Sequence, residues 1–208
     1  MAFIDLSKGE VQCKIVYYGP GRGGKTTNLL YIHRAMSEKI RGKMVTIDTK
    51  GDRTLFFDFL PLALGKIHNL SIKIQLYTVP GQVMYNATRK LVLKGVDGLV
   101  FVADSLKVQK DKNIQSLENL KENLADENID LKDIPLVMQY NKRDLAEANI
   151  PLLSIAEMDA DLNSELKVPW FEASALKGRG VFETLREISK RTVKQVSRKL
   201  LSLSLIHI

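Results

Sequence analysis

The chain has 208 residues, 45% of them hydrophobic and 26% charged, which fits one globular domain whose core needs neither disulfides nor a structural metal. Its single cysteine, Cys13, excludes a disulfide framework and a cysteine metal cluster, and it fits a cytoplasmic protein. The formal net charge is +7, but the lysines are dispersed, so we expect no nucleic-acid partner and interpret the basic stretch 190–199 as a solvated helix face, with weak contact to a membrane surface as the alternative.

Apolar β-type runs alternate with helical patterns along the chain. Strands are predicted at 11–18, 43–49, 71–78, 98–104, 135–140 and 168–172, and helices at 25–40, 82–94, 111–128, 154–166 and 181–199. This alternation predicts an α/β fold, with a doubly wound, mostly parallel six-stranded sheet and flanking helices. We assign residues 1–199 to this single domain and residues 200–208 to an apolar tail of uncertain origin.

The segment 49–64 between the second and third predicted strands does not follow the alternation. It mixes charged residues with three phenylalanines at positions 56, 57 and 59, and we interpret it as partly strand and partly mobile loop. The phenylalanines are either core residues or a partly exposed surface that binds a partner.

Residues 19–26 read GPGRGGKT, which fits the phosphate-binding pattern G-x-x-x-x-G-K-[ST]. A β-type run precedes this loop and a helical pattern follows it, as the motif requires. The glycines allow backbone N–H groups to converge on one anion, and the helix N-terminus adds a partial positive charge. Lys25 is expected to reach the β- and γ-phosphates, and Thr26 is expected to offer its hydroxyl to Mg²⁺. The Arg22 side chain points either to the phosphates or to solvent.

Two further polar segments, NKRD beginning at Asn141 and ASAL containing Ala175, follow the fifth and sixth predicted strands. Ligands of doubly wound sheets bind at these strand ends. The Asp144 carboxylate can accept hydrogen bonds from the N1–H and the 2-amino group of guanine, a pair that adenine lacks. Asn141 can tie this loop to the phosphate loop, Lys142 can cover the face of the base, and a backbone N–H near Ala175 can donate to guanine O6. GTP and GDP are therefore the predicted ligands.

These motifs, in this order, resemble those of the Ras-like small GTPases over residues 10–195. The chain is similar in more detail to the bacterial gliding-motility A (MglA) family in KIVYYGPG at 14–21, DRTLFFDFLPL at 52–62, LYTVPGQ at 76–82 and RKLVLKGVDGLVFVADS at 89–105. The resemblance implies a P-loop G domain that recruits effectors when GTP is bound, controls cell polarity and motility, and is recruited to a cell pole. It also implies a roadblock-type (MglB-like) GTPase-activating partner, with the chain a monomer on its own.

Thr78 departs from the general pattern of Ras-like proteins, most of which end the third strand with Asp-x-x-Gly. Here the four residues are Thr-Val-Pro-Gly. A neutral hydroxyl in place of a carboxylate predicts a weaker hold on Mg²⁺. The MglA pattern itself carries threonine here, so the departure does not imply an inactive enzyme. The Gly81 N–H is expected to meet the γ-phosphate.

Three residues have predicted roles around hydrolysis. Gln82 is expected to orient the attacking water, and the alternative is a solvent-facing glutamine at a helix start. Arg53 is expected to stabilise transition-state charge in cis, with a surface or ion-pair role as the alternative. Thr54 is expected to sense Mg²⁺ and the γ-phosphate. The predicted catalytic residues are therefore Gln82 and Arg53, and the predicted metal ligands are Thr26 and Thr54.

The sequence thus predicts a switch that binds GTP with Mg²⁺ and hydrolyses it slowly. The alternative from another class is a nucleotide-dependent scaffold with negligible hydrolysis, which Thr78 favours and which Gln82 and Arg53 oppose. The predicted nucleotide-binding residues are Gly19, Gly21, Gly23, Gly24, Lys25, Thr26, Thr27, Thr54, Gly81, Asn141, Lys142, Asp144, Ser174 and Ala175.

Overall fold

The computed structural model describes residues 3–5, 9–48, 56–67, 70–82 and 85–206. The strands are β1 (Phe3–Asp5), β2 (Glu10–Tyr18), β3 (Val45–Asp48), β4 (Phe56–Ile67), β5 (Leu70–Thr78), β6 (Gly98–Asp104), β7 (Leu136–Asn141) and β8 (Trp170–Glu172). The helices are α1 (Lys25–Ala35), α2 (Asn86–Leu93), α3 (Lys110–Ala125), α4 (Ile155–Leu162) and α5 (Val181–Ile206).

These strands form one mixed sheet in the order β3-β4-β5-β2-β6-β7-β8, with β1 paired to β2. Strands β5, β2, β6, β7 and β8 run parallel, whereas β1, β3 and β4 pair antiparallel with their neighbours. The predicted α/β fold with a mostly parallel sheet is confirmed. The predicted count of six strands is wrong, because β1 was not recognised and because β4, which begins within the segment interpreted as partly strand and partly loop, was not counted.

The lengths and compositions of β1 and β4 explain why sequence patterns did not identify them as strands. Strand β1 spans only three residues, too few to establish an alternating pattern. Strand β4 contains Pro61 and Gly65, which are typical of turns, and its register with β5 shifts between Ala63 and Gly65. Pro61 lies beyond the part of β4 that pairs with β3, so its missing N–H removes no hydrogen bond of that ladder.

Alternate residues of the central strands enter two hydrophobic cores, one on each face of the sheet. In β2, Val16 and Tyr18 belong to the first core, and Ile15 and Tyr17 belong to the second. Helices α2, α3 and α4 contribute to the first core, and α1 and α5 contribute to the second. Every residue of β6 and β7 is buried, as expected for strands covered on both faces.

Helix α5 is helical through Ile206, past residue 199, where we placed the end of the domain. The division of the chain at that residue remains a prediction. Among the helices in the described residues, none is both long enough and apolar enough to cross a bilayer.

Candidate nucleotide-binding site

The carboxyl ends of β2, β5, β6, β7 and β8 meet at one edge of the sheet, and the predicted motifs follow four of them. A cavity of about 610 Å³ opens there. Its walls come from the phosphate loop, the start of α1, strands β3 and β4, and the turn after β5: Arg22, Gly24, Lys25, Thr26, Thr27, Thr46, Phe57, Asp58, Thr78, Val79, Pro80 and Gly81. The structure describes every predicted site residue except Arg53 and Thr54, which lie outside the described residues.

The phosphate loop is packed too tightly for side chains at two of its contact points. Gly24 has a φ of +102°, and a Cβ placed on it would lie 2.1 Å from Asn141 Nδ2. A Cβ on Gly81 would lie 2.2 Å from Gly21 Cα. The turn after β5 therefore lies directly against the phosphate loop, as a γ-phosphate sensor requires. Arg22 is exposed, with a φ of +62°.

Lys25 lies inside the phosphate loop and is only 6% exposed. Its Nζ donates hydrogen bonds to the carbonyl oxygens of Gly19 at 2.9 Å and Pro20 at 2.7 Å. Burial, helped by the positive charge of Arg89, lowers the pKa of Lys25 to about 7, and the charge of Asp58 opposes this shift. The ammonium therefore lies where neutral carbonyls are its acceptors, so a phosphate anion in the adjacent cavity would be a stronger partner.

The buried Asn141 joins the base-binding loops to the phosphate loop. Its Nδ2 donates to the Gly23 carbonyl oxygen at 2.8 Å, as expected, and its Oδ1 accepts from the Ala175 N–H at 2.8 Å. The Ala175 N–H is thereby occupied by Asn141, and the donation of a backbone N–H near Ala175 to guanine O6 stays a prediction. Ser174 is buried beside it, and its Oγ accepts from the Lys177 N–H at 3.1 Å.

Lys142 and Asp144, the residues predicted to recognise the base, follow the carboxyl end of β7. Lys142 has a φ of +69°, and its Nζ pairs with Asp104 Oδ2 at 2.6 Å, which holds the aliphatic stem in place. Asp144 is half-buried, and its carboxylate has no hydrogen-bond partner within the described part of the chain, so it is available to guanine. Sequence reasoning missed Asp104, although its place at the carboxyl end of a buried strand was a usable signal.

A buried carboxylate that sequence reasoning missed, Asp58, lies beside the Thr26 hydroxyl. Thr26 Oγ1 donates to Asp58 Oδ2 at 2.6 Å, and Thr78 Oγ1 donates to the same oxygen at 2.8 Å. Thr46 Oγ1 donates to Asp58 Oδ1 at 2.9 Å. Hydroxyl and carboxylate oxygens are ligands that suit Mg²⁺, so this corner of the cavity fits that ion. The only sequence signal was a lone charge within an aromatic run.

Gln82 is exposed beside a second cavity of about 420 Å³, next to the phosphate loop. The turn that carries it is held by Arg89, which is 1% exposed. Arg89 Nε donates to the Pro80 carbonyl oxygen at 2.9 Å, and Nη2 donates to the Gly81 carbonyl oxygen at 2.6 Å. Sequence reasoning also missed Arg89, although it precedes the buried Leu93 by four residues and so lies on the apolar face of α2.

Phe57 and Phe59 on β4 are half-buried and pack against Tyr77, with ring centroids 6.0 and 4.9 Å from its centroid. Phe57 also lines the phosphate cavity. These ring contacts connect β4, which lines the cavity, to the first core. The side chain of Phe56 lies outside the described ones.

Comparison with known proteins agrees with this geometry. A model of the Ras family matches residues 14–194. The chain is 50% identical over 198 residues to the mutual gliding-motility protein MglA of Myxococcus xanthus, an alignment that covers 95% of this chain and 99% of that protein. It is 24% identical over 191 residues to the Ras-related protein RABG3f of Arabidopsis thaliana, and 25% identical over 191 residues to the Ras-related protein Rab7 of Pisum sativum. Each of these two alignments covers 90% of this chain and 85% of the relative.

The family match spans both the phosphate loop and the base-binding loops, and the alignment with the Myxococcus protein extends over almost the whole chain. The chain therefore belongs to the Ras family, and it is a small GTPase that binds GTP and GDP.

Proposed function

We propose that this GTPase is a switch in cell polarity and motility, which binds GTP together with Mg²⁺ and hydrolyses it slowly. The observation that supports the nucleotide chemistry is the Asn141 side chain, which connects the phosphate loop to the loop that carries Asp144. The support for polarity and motility is the 50% identity to a protein named for gliding motility. On this proposal the GTP-bound form recruits effectors, a roadblock-type (MglB-like) partner activates hydrolysis, and the protein is recruited to a cell pole.

Binding uses the phosphate loop first. Lys25 exchanges the carbonyl oxygens of Gly19 and Pro20 for phosphate oxygens, and Thr26 presents its hydroxyl to the metal. When bound, Mg²⁺ would neutralise negative charge on the phosphates, and Thr26 is among the residues that would hold it. The Asp144 carboxylate then accepts the two hydrogen bonds that distinguish guanine from adenine.

Hydrolysis depends on two residues that meet the γ-phosphate from different segments. Gln82 orients the attacking water, and Arg53 places a guanidinium on the oxygens over which negative charge spreads in the transition state. Thr54 and the Gly81 N–H sense the γ-phosphate. Loss of the γ-phosphate on hydrolysis releases residues 50–60 and 79–90 and ends effector binding.

Single-turnover GTP hydrolysis, with and without a saturating roadblock-type activator, tests this proposal. Arg53→Ala and Gln82→Leu are each expected to retain GTP binding but to lose most of the stimulated rate, since an arginine finger contributes about 10³–10⁵ in rate. Gln115→Leu is the matched control, because Gln115 is another exposed glutamine that lines the second cavity. If Arg53→Ala responds fully to the activator, the cis arginine is wrong and the partner supplies the charge.

A test in cells addresses polarity. A fluorescent fusion of the Gln82→Leu variant, which would stay GTP-bound, is expected to remain at a pole, whereas a Thr26→Asn fusion is expected to be diffuse. Identical distributions of the two fusions would contradict nucleotide-dependent recruitment.

A further inference from the structure

We infer that Asp58, on β4, supplies the Mg²⁺-anchoring carboxylate that most Ras-like proteins carry at position 78, on the neighbouring strand. The inference rests on the proposed binding of nucleotide with Mg²⁺. It replaces the expectation that Thr78 leaves the metal weakly held. The acidic group is present at this site, but it comes from a different strand.

Strand register explains how Asp58 reaches this position. Strands β4 and β5 are antiparallel, and Phe59 pairs with Tyr77, so Asp58 lies across from Thr78. The two residues exchange hydrogen bonds: the Asp58 N–H donates to Thr78 Oγ1 at 2.9 Å, and that hydroxyl donates to Asp58 Oδ2 at 2.8 Å. Thr78 therefore fixes the orientation of a carboxylate that belongs to the adjacent strand.

The contact with Thr26 links this carboxylate to the predicted metal ligand. The Thr26 hydroxyl donates its one hydrogen to Asp58 Oδ2 at 2.6 Å. The lone pairs of Thr26 Oγ1 therefore remain available to a cation. A carboxylate that accepts a hydrogen bond from a metal ligand orients that ligand and increases its basicity. Asp58 is thus placed to hold Thr26 in its ligating orientation and to add negative charge beside the ion.

The electrostatic setting also favours a cation here. Asp58 is 5% exposed, and within the described residues its hydrogen-bond partners are neutral hydroxyls. A buried charge is costly unless it is paired or coordinates a metal. The cavity that Asp58 lines also contains Thr26 and Lys25, so a divalent ion bound with the phosphates would pair this charge.

The experiment measures how nucleotide release depends on Mg²⁺. Wild-type and Asp58→Asn proteins are loaded with fluorescent GDP, and the dissociation rate is followed while MgCl₂ is titrated. We expect Asp58→Asn to shift the Mg²⁺ midpoint upward by about 10–100-fold, the usual effect of removing a group that supports a metal ligand. We expect the double variant Asp58→Asn/Thr78→Asp to restore the midpoint.

Two controls separate the metal role from stability. Asp159→Asn removes a carboxylate that likewise accepts from a hydroxyl, that of Tyr140, but on α4, and it is expected to leave the midpoint unchanged. Thr78→Val keeps the side-chain shape but removes the hydroxyl that orients Asp58, so it is expected to shift the midpoint in the same direction by less.

The outcomes distinguish this inference from the proposed function. GDP binding in saturating MgCl₂ tests nucleotide binding itself, and its absence in the wild type would contradict the proposed function. If wild type binds GDP and Mg²⁺ slows its release, but neither Asp58→Asn nor Thr78→Val moves the midpoint, Asp58 is not the anchor. A lower midpoint in Asp58→Asn would also overturn the inference, because it would mean that Asp58 competes with the metal for Thr26.

Discussion

Replacing Arg89 with lysine should slow GTP hydrolysis without weakening GDP binding. Arg89 lies on α2, and its guanidinium holds the carbonyl oxygens of Pro80 and Gly81, the two residues before Gln82. Lysine keeps the positive charge but lacks the planar fork that reaches both carbonyls. The turn that carries Gln82 would then lose one of its two fixed points.

The structure sets the size of this effect. The contacts measure 2.9 and 2.6 Å, and a hydrogen bond from a charged donor contributes about 1.5–3 kcal/mol. Losing one of them lowers the free energy of unfolding by about that amount, and loss of the Nη1 hydrogen bond to Asn119 Oδ1 at 2.6 Å would add to it. A displacement of a catalytic group by about 1 Å costs roughly 100-fold in rate, which is about 2.7 kcal/mol. We therefore expect Arg89→Lys to slow hydrolysis by up to roughly 100-fold.

The assay compares single-turnover hydrolysis, GDP affinity and denaturant unfolding in the same variants. Asn163→Ala is the control for stability, because the buried Asn163 donates from Nδ2 to the Val168 carbonyl oxygen at 2.9 Å, away from the nucleotide site. Both variants are expected to lose stability, but only Arg89→Lys is expected to lose hydrolysis. If Arg89→Lys hydrolyses GTP as fast as Asn163→Ala does, Arg89 supports the fold and does not position Gln82.

Four further substitutions test the binding site. Asp144→Asn should weaken GTP binding by about 2–4 kcal/mol through two lost hydrogen bonds to a charged acceptor, and it should shift preference toward xanthosine nucleotides in a competition assay. Lys25→Ala should abolish tight nucleotide binding in calorimetry, whereas Thr26→Asn should weaken GTP more than GDP; equal affinities in Thr26→Asn and wild type would contradict its metal role. Gly24→Ala should lower affinity for both nucleotides in the same titration, because its Cβ would lie 2.1 Å from Asn141 Nδ2.

The features that the sequence predicted well are those encoded by short contiguous segments. The strand predicted at 98–104 is found at Gly98–Asp104. This prediction was accurate because an uninterrupted apolar run is typical of a buried strand and not of a loop. The contact of Asn141 with the phosphate loop followed from motif order, since the carboxyl ends of parallel strands converge. The sequence did not predict that the Ala175 N–H donates to Asn141 Oδ1, because this contact joins two loops that are 34 positions apart in the chain.

The features that escaped prediction depend on pairs of residues far apart in the chain. Asp104 meets Lys142 across 38 positions, and Arg89 holds carbonyl groups eight and nine positions before it. Each contact needs a strand register or a helix orientation that no local pattern specifies. A charged residue on an apolar helix face, as Arg89 is, was a local sign that a buried partner existed.

Thr78 and Asp58 are best considered together, because we infer that Asp58 on β4 supplies the carboxylate that most Ras-like proteins carry at position 78 on β5. An aspartate at position 78 beside the present Asp58 would bring two carboxylates into hydrogen-bonding distance, since Thr78 Oγ1 and Asp58 Oδ2 are 2.8 Å apart. Such a pair cannot readily carry two negative charges, and one pKa would rise strongly. A hydroxyl at position 78 avoids that repulsion and donates a hydrogen bond instead. On our inference, the absence of an aspartate at position 78 is therefore compatible with metal binding, because Asp58 places a carboxylate beside Thr26.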